Sequence, residues 1–280
     1  MAEEYKSLHP LKYYRDYYSH DIRPDGREFF DFRPIIVNVG SITTADGSAI
    51  AKVGKSTVIC GIKAELCRPK PESPKEGFLI TNLELPSLCS SKFKPGSSNE
   101  QAQVLTQLIA NIIENSKCIN LEELCILKDK LAWCLYTDLI CLDYDGSVLD
   151  ACLIALMACL KSVTLPHIDY DPALDIKQAN LEDRKPLNVY STPITTTFAI
   201  FDDKIILSDP SNEEENLCTG TVSVAVLNDQ ELCSVHKPGG SPLSEQQVMD
   251  CIEKSKLRSR SVKKLIDAAL RDMICQKNIS

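Results

Sequence analysis

At 280 residues, 44% hydrophobic and 25% charged, the chain is long enough to bury a substantial core, as one large domain or two lobes. A net charge of −8 opposes strong autonomous binding to phosphate backbones, so any nucleic-acid role is expected to be shared with partners or confined to a local patch. Charges and tyrosines fill the first thirty residues, where a signal peptide has its apolar core, and no apolar run nears the roughly 20 residues that span a bilayer; a soluble, intracellular protein without membrane contact is expected.

Residues 8–18 read as a short tyrosine-rich helix, broken by the turn-forming Arg23-Pro24-Asp25-Gly26-Arg27. A β pattern begins after Arg33: Ile35, Val37 and Val39 alternate, and 48–53 and 56–66 read as further strands. With turns at Asp46-Gly47 and Gly54-Lys55 these three strands form an antiparallel meander. Residues 68–77 are a Pro-rich exposed loop and 86–98 are irregular. Asn99-Glu100 opens a helix to about Ser116, and 131–142 is a buried strand.

That strand leads into the most distinctive stretch, residues 138–163. The turn Asp143-Tyr144-Asp145-Gly146-Ser147 opens a helix that is apolar from Ala151 to Leu160 and is expected to be covered on most sides. A strand–turn–helix junction exposes N–H groups that attract anions. Here Asp143, Asp145 and Asp150 crowd it and no Arg or Lys lies between Lys130 and Lys161, so the junction is expected to hold no anion.

Residues 166–186 read as an irregular connection. In the second half, 194–201, 204–207, 220–227 and 231–235 read as strands, with hairpin turns at Asp202-Asp203 and Asn228-Asp229. Ser244 with Gln247 at capping-box spacing starts a helix running to about Ile274. The order divides the chain into an N-terminal helix and arm (1–30), a first sheet-plus-helix half (31–165), a linker (166–190) and a second half with a C-terminal helix (191–280).

Other motifs have plain readings. Gly54-Lys55-Ser56-Thr57 resembles the end of a phosphate-binding loop, but Ala49 stands where its first glycine belongs and strands flank it on both sides, so it reads as a β-turn. The run Asp209 to Glu215 gathers four carboxylates and reads as a solvated turn, with metal binding or acid–base chemistry as the alternative. Lys254, Lys256, Arg258, Arg260, Lys263 and Lys264 read as solvent-facing charge on the last helix, with a partner or RNA contact as the alternative. Lys92 and Lys94 flank Phe93 and are the candidate RNA contacts, since two cations beside an aromatic ring suit a nucleic-acid backbone. The 13 cysteines form no Cys-x-x-Cys pair and read as reduced core residues; Asn278-Ile279-Ser280 fits a glycosylation pattern that an intracellular protein does not use.

Several segments together resemble the RNase PH family: Arg23-Pro24-Asp25-Gly26-Arg27 with Arg33, Asp46-Gly47-Ser48-Ala49, and Thr57 to Ala64. Asp143 to Ser147, Asp209-Pro210 with its glutamates, and Lys237-Pro238-Gly239-Gly240 follow in the family's order across nearly the whole chain. The resemblance implies an α+β, RNase PH-like fold (ribosomal protein S5 domain 2-like) of two mixed sheet-plus-helix halves. It further implies a subunit of the RNA exosome ring, found in nucleus, nucleolus and cytoplasm. Its partners would be other RNase PH-like ring subunits, S1/KH-domain cap proteins, hydrolytic exoribonucleases and, through the complex, RNA.

Active family members release nucleoside diphosphates from RNA 3′ ends, with inorganic phosphate as the attacking group. They carry Arg followed by Ser or Thr after the Asp-Gly turn, where this chain has Leu149 and Asp150, the latter expected to repel the nucleophile. Their essential Asp falls near Gly220-Thr221, and their arginine clusters are thinned here to Lys92 and Lys94. The resemblance therefore implies a non-catalytic ring subunit with no catalytic residue, no metal site and no cofactor. An active phosphorolytic subunit using a displaced site, and an adapter outside the exosome, stand as alternatives.

Overall fold

The computed structural model describes residues 2–94, 99–171, 176–228 and 230–277. The N-terminal arm is two helices, α1 (Ala2–Leu8) and α2 (Pro10–Tyr18). Pro10 begins the second, where a missing N–H costs nothing, so the helix expected over 8–18 is α2, and α1 is an additional helix before it. The meander is present as β1 (Ile35–Val39), β2 (Gly47–Val53) and β3 (Ser56–Cys67).

β4 (Phe78–Glu84) then follows the Pro-rich loop, and α3 (Glu100–Ser116) is capped by the Asn99 side chain accepting from Gln101 N–H. A 3-10 turn (Leu121–Leu124) and β5 (Cys125–Leu127) lead into β6 (Leu131–Asp143). β6 pairs antiparallel with β3 and parallel with β4, giving the order β1-β2-β3-β6-β4 with β5 also on β6. Periodicity alone misses β4 because its partner is remote: Phe78 pairs with Cys134.

α4 (Val148–Ser162) is the centre of the molecule. Every residue in it except Lys161 is buried. It packs on β1, β2, β3 and β6 on one side and meets α3 and two later elements on the other, which is why its surface is apolar all round.

The segment expected as an irregular connection is a hairpin, β7 (Thr164–Asp171) antiparallel to β8 (Ile176–Pro186). The two strands pair only with each other, so both are edges, and Pro166 sits where the register shifts; edges and bulges tolerate proline. A polar, proline-containing sequence reads as a loop for the same reason.

The second sheet has the order β10-β9-β11-β12, from β9 (Pro193–Phe201), β10 (Ile205–Ser208), β11 (Gly220–Leu227) and β12 (Glu231–His236). Of the expected turn Asn228-Asp229, Asp229 lies outside the described residues, as does Asn278-Ile279-Ser280. Between β10 and β11 the acidic run forms a helix, α5 (Asn212–Leu217), started by a reciprocal capping box of Ser211 and Glu214. α6 (Glu245–Lys277) contacts β1, β9, β11 and α4, tying the two sheets together. Its charges are not all solvent-facing as expected: Arg258 is buried, with its guanidinium 4.6 Å from the Phe32 ring centre.

Candidate functional site

The site is built around the turn between β6 and α4. Gly146 adopts a left-handed φ of +76°, and a Cβ there would lie 2.5 Å from the Pro210 carbonyl oxygen, so only glycine permits this approach to the start of α5. Ser147 is also left-handed, and its hydroxyl donates to the Pro210 carbonyl at 3.1 Å instead of capping its own helix. Ser56, in the turn first weighed as a phosphate loop, braces the junction: its hydroxyl donates to Gly146 O at 2.7 Å and accepts from Asp145 N–H at 3.0 Å.

The backbone N–H of Ser147 points at a carboxylate. It donates to Glu215 Oε1 at 2.7 Å, and the Tyr144 hydroxyl donates to Oε2 at 3.2 Å. The expectation that this helix start holds no anion is therefore corrected; it holds one of the chain's own. The three nearby aspartates do not prevent this because they face elsewhere. Asp143 is exposed, Asp145 pairs with Arg33 at 3.3 Å, and Asp150 is fully buried.

Asp150 does not repel an incoming group, as its charge suggested. It accepts from Thr197 N–H at 3.0 Å and Thr197 Oγ1 at 2.9 Å and pairs with Arg258 Nη1 at 2.8 Å, joining α4 to β9 and α6.

The expectation of a solvated turn at Asp209 to Glu215 also fails. Asp209 and Glu214 are buried, and Arg33 and Arg23 supply their partners. Arg33 donates to Asp209 at 2.7 and 3.0 Å; Arg23 forms an ion pair with Glu214, with Nε 2.9 Å from Oε1. Tyr18 donates to Glu214 at 3.1 Å and Tyr14 to Glu213 at 2.6 Å. Burial alone would raise the Asp209 carboxyl, but the charge of Arg258 and the hydrogen bonds of Arg33 outweigh it and hold the group well below the usual carboxylate range. Glu215 goes the other way: burial raises it, and Ser147 N–H, Tyr144 and Lys92 only partly offset that.

Beside Glu215 opens a cleft of about 520 Å³. One wall is apolar, with Val104, Leu105, Leu108, Val148 and Leu149; Thr221, Ser223 and His236 are among the groups lining the remainder. Of the two candidate RNA contacts only Lys92 lines the cleft, its ammonium 5.6 Å from the Tyr144 ring centre; Lys94 is exposed and outside the lining. Lys92 is the only lysine or arginine in the lining among the described residues, against Glu100 and Glu215. Among the described residues no three His, Cys, Asp or Glu side chains group to hold a metal ion, and no helix is long and apolar enough to cross a membrane.

Sequence reasoning missed Glu215 and Tyr144 as parts of one site. A signal was present: Ser211-x-x-Glu214 is a capping box, and a helix start at that point aims Glu214 and Glu215 in different directions.

Residues 31–166 match domain 1 and residues 191–257 match domain 2 of the RNase PH, or 3′ exoribonuclease, family. The exosome complex component rrp43 of Schizosaccharomyces pombe is 39% identical over 249 residues, spanning 89% of this chain and 92% of that protein. The chain belongs to the RNase PH family. Another RNase PH relative, the exosome complex component Rrp42 of Methanothermobacter thermautotrophicus, is 34% identical over 82% of this chain and 84% of its own length. Among solved structures, a chain of the Archaeoglobus fulgidus exosome with RNA bound to the active site superposes with a TM-score of 0.81 at 29% identity, covering 91% of this chain and 96% of that one. The α+β architecture described above is thus the RNase PH-like fold.

Proposed function

We propose that the chain is a non-catalytic, structural subunit of an RNA exosome ring, forming part of the channel through which RNA reaches nucleases elsewhere in the complex. Its similarity to exosome components over most of its length supports membership of the ring. The observation that carries the absence of catalysis is the charge of the cleft. Phosphorolysis brings inorganic phosphate against a phosphodiester, and two unit charges about 4 Å apart at a protein surface repel by about 4 kcal/mol. Cations must offset this, and the lining offers the single exposed Lys92 against two glutamates, with Leu149 on the wall of the helix start.

Its partners in this reading are other RNase PH-like ring subunits, S1/KH-domain cap proteins and hydrolytic exoribonucleases, in nucleus, nucleolus and cytoplasm. Lys92 and Lys94 contribute rim charge to the RNA path. Isolation of the endogenous protein tests membership: stoichiometric recovery of several RNase PH-like subunits is expected, and recovery with none of them would favour an adapter outside the exosome.

A further inference from the structure

Between Glu253 and Asp267 the last helix carries six cations and no acid, in a chain whose net charge is −8. Two of the six are used internally: Arg258 is buried on Asp150, and the Lys254 ammonium lies 5.2 Å from the Phe30 ring centre. The other four, Lys256, Arg260, Lys263 and Lys264, stand at i, i+4, i+7 and i+8, which places them on one face of α6. Arg271, seven residues beyond Lys264, extends the row to about 22 Å. The opposite face, with Cys251, Val262 and Ile266, is the buried one. Among the described residues none of these five cations is in an ion pair, and the acid within the row, Asp267, is tied to Lys161 at 2.9 Å. On the adjoining strip Leu257 and Leu265 are 51% and 42% exposed.

We propose that this face of α6 docks an acidic, leucine-bearing helical segment of a partner protein. Residues four apart on a helix are about 5–6 Å apart, so glutamates at the same spacing on a second helix match the row charge for charge. Leucines on that segment cover Leu257 and Leu265, which phosphates would leave in water. Single-stranded RNA is gripped by stacking its bases on aromatic rings, and α6 contains no aromatic residue. The proposal concerns a surface remote from the cleft charge that carries the non-catalytic reading, and stands without it.

The test titrates the full-length chain into a fluorescein-labelled synthetic helix carrying glutamates at i, i+4, i+7 and i+8 beside a leucine strip, followed by anisotropy at low salt. Saturable binding is expected, weakened at least tenfold in the triple variant Arg260→Glu, Lys263→Glu, Lys264→Glu. The control Lys52→Glu, Lys63→Glu, Lys128→Glu makes the same change in net charge on other surfaces and should bind within about twofold of wild type. Leu257→Ser with Leu265→Ser should weaken binding severalfold with the cations intact, and a probe with glutamine for glutamate should bind at least tenfold more weakly. No saturable binding by the wild-type chain overturns the proposal, as does equal loss in the control variant. Single-stranded RNA that binds more tightly than the peptide and is released by the Arg260, Lys263 and Lys264 changes also overturns it, assigning the face to nucleic acid. Circular dichroism of each variant verifies the fold; if the triple variant does not fold, Arg260→Gln with Lys264→Gln takes its place, and unchanged affinity in that pair overturns the proposal.

Discussion

Arg258 and Asp150 show how far formal charge misleads when its direction is unknown. Both are buried and joined at 2.8 Å. Removing one partner of such a pair strands the other charge, so Arg258→Met is expected to cost about 3–5 kcal/mol in urea denaturation. The double variant Arg258→Met, Asp150→Asn should lose less than the sum of the two single changes, because the stranded charge is gone. Asp209 makes a pH prediction with a definite sign. Its folded-state pKa is depressed, so between that value and the ordinary aspartate value near about 4 the unfolded chain binds more protons. Its contribution is present above about pH 4 and is lost as pH falls toward the folded value. Denaturation at stepped acid pH should show this loss, and Arg33→Gln should flatten the dependence.

Helix α4 was legible in the sequence because a helix buried on every side must be apolar on every side. Leu153 and Leu156 are fully buried, and Leu153→Ala is expected to cost about 2–5 kcal/mol of unfolding free energy. The meander was legible from alternation, while β4 was not, because its identity as a strand depends on a partner far along the chain. Helix α5 shows the limit for the site. Three consecutive glutamates look alike in sequence, but successive helix positions turn by about 100°, which sends Glu213 to Lys6 and Tyr14 of the N-terminal helices, Glu214 to Arg23 and Glu215 to Ser147. Ser211→Ala should cost about 1 kcal/mol through loss of the cap. Gly146→Ala should destabilise more than that cap, because the added methyl meets the Pro210–Asn212 backbone and forces α4 and α5 apart. Thermal unfolding of the two variants side by side checks the order.

At the scale of the molecule, the four- and six-stranded sheets share one buried helix, and Arg23 and Arg33 are clamped by ion pairs to the acidic segment after β10. Three of the motifs that carry the family resemblance, the segment from Arg23 to Arg33, the Asp143–Ser147 turn and the acidic run, are parts of this clamp, which gives them a structural role of their own. Among the described residues the cleft brings together the turn between β6 and α4, one exposed lysine and the Glu215 carboxylate hydrogen-bonded to Ser147. The decisive measurement is release of nucleoside diphosphates from a 3′-terminal RNA by the purified chain, alone and with a copurifying ring partner that is itself inactive, as phosphate is varied. Release should stay at the enzyme-free background at every phosphate concentration. Turnover that saturates with phosphate would contradict a non-catalytic subunit.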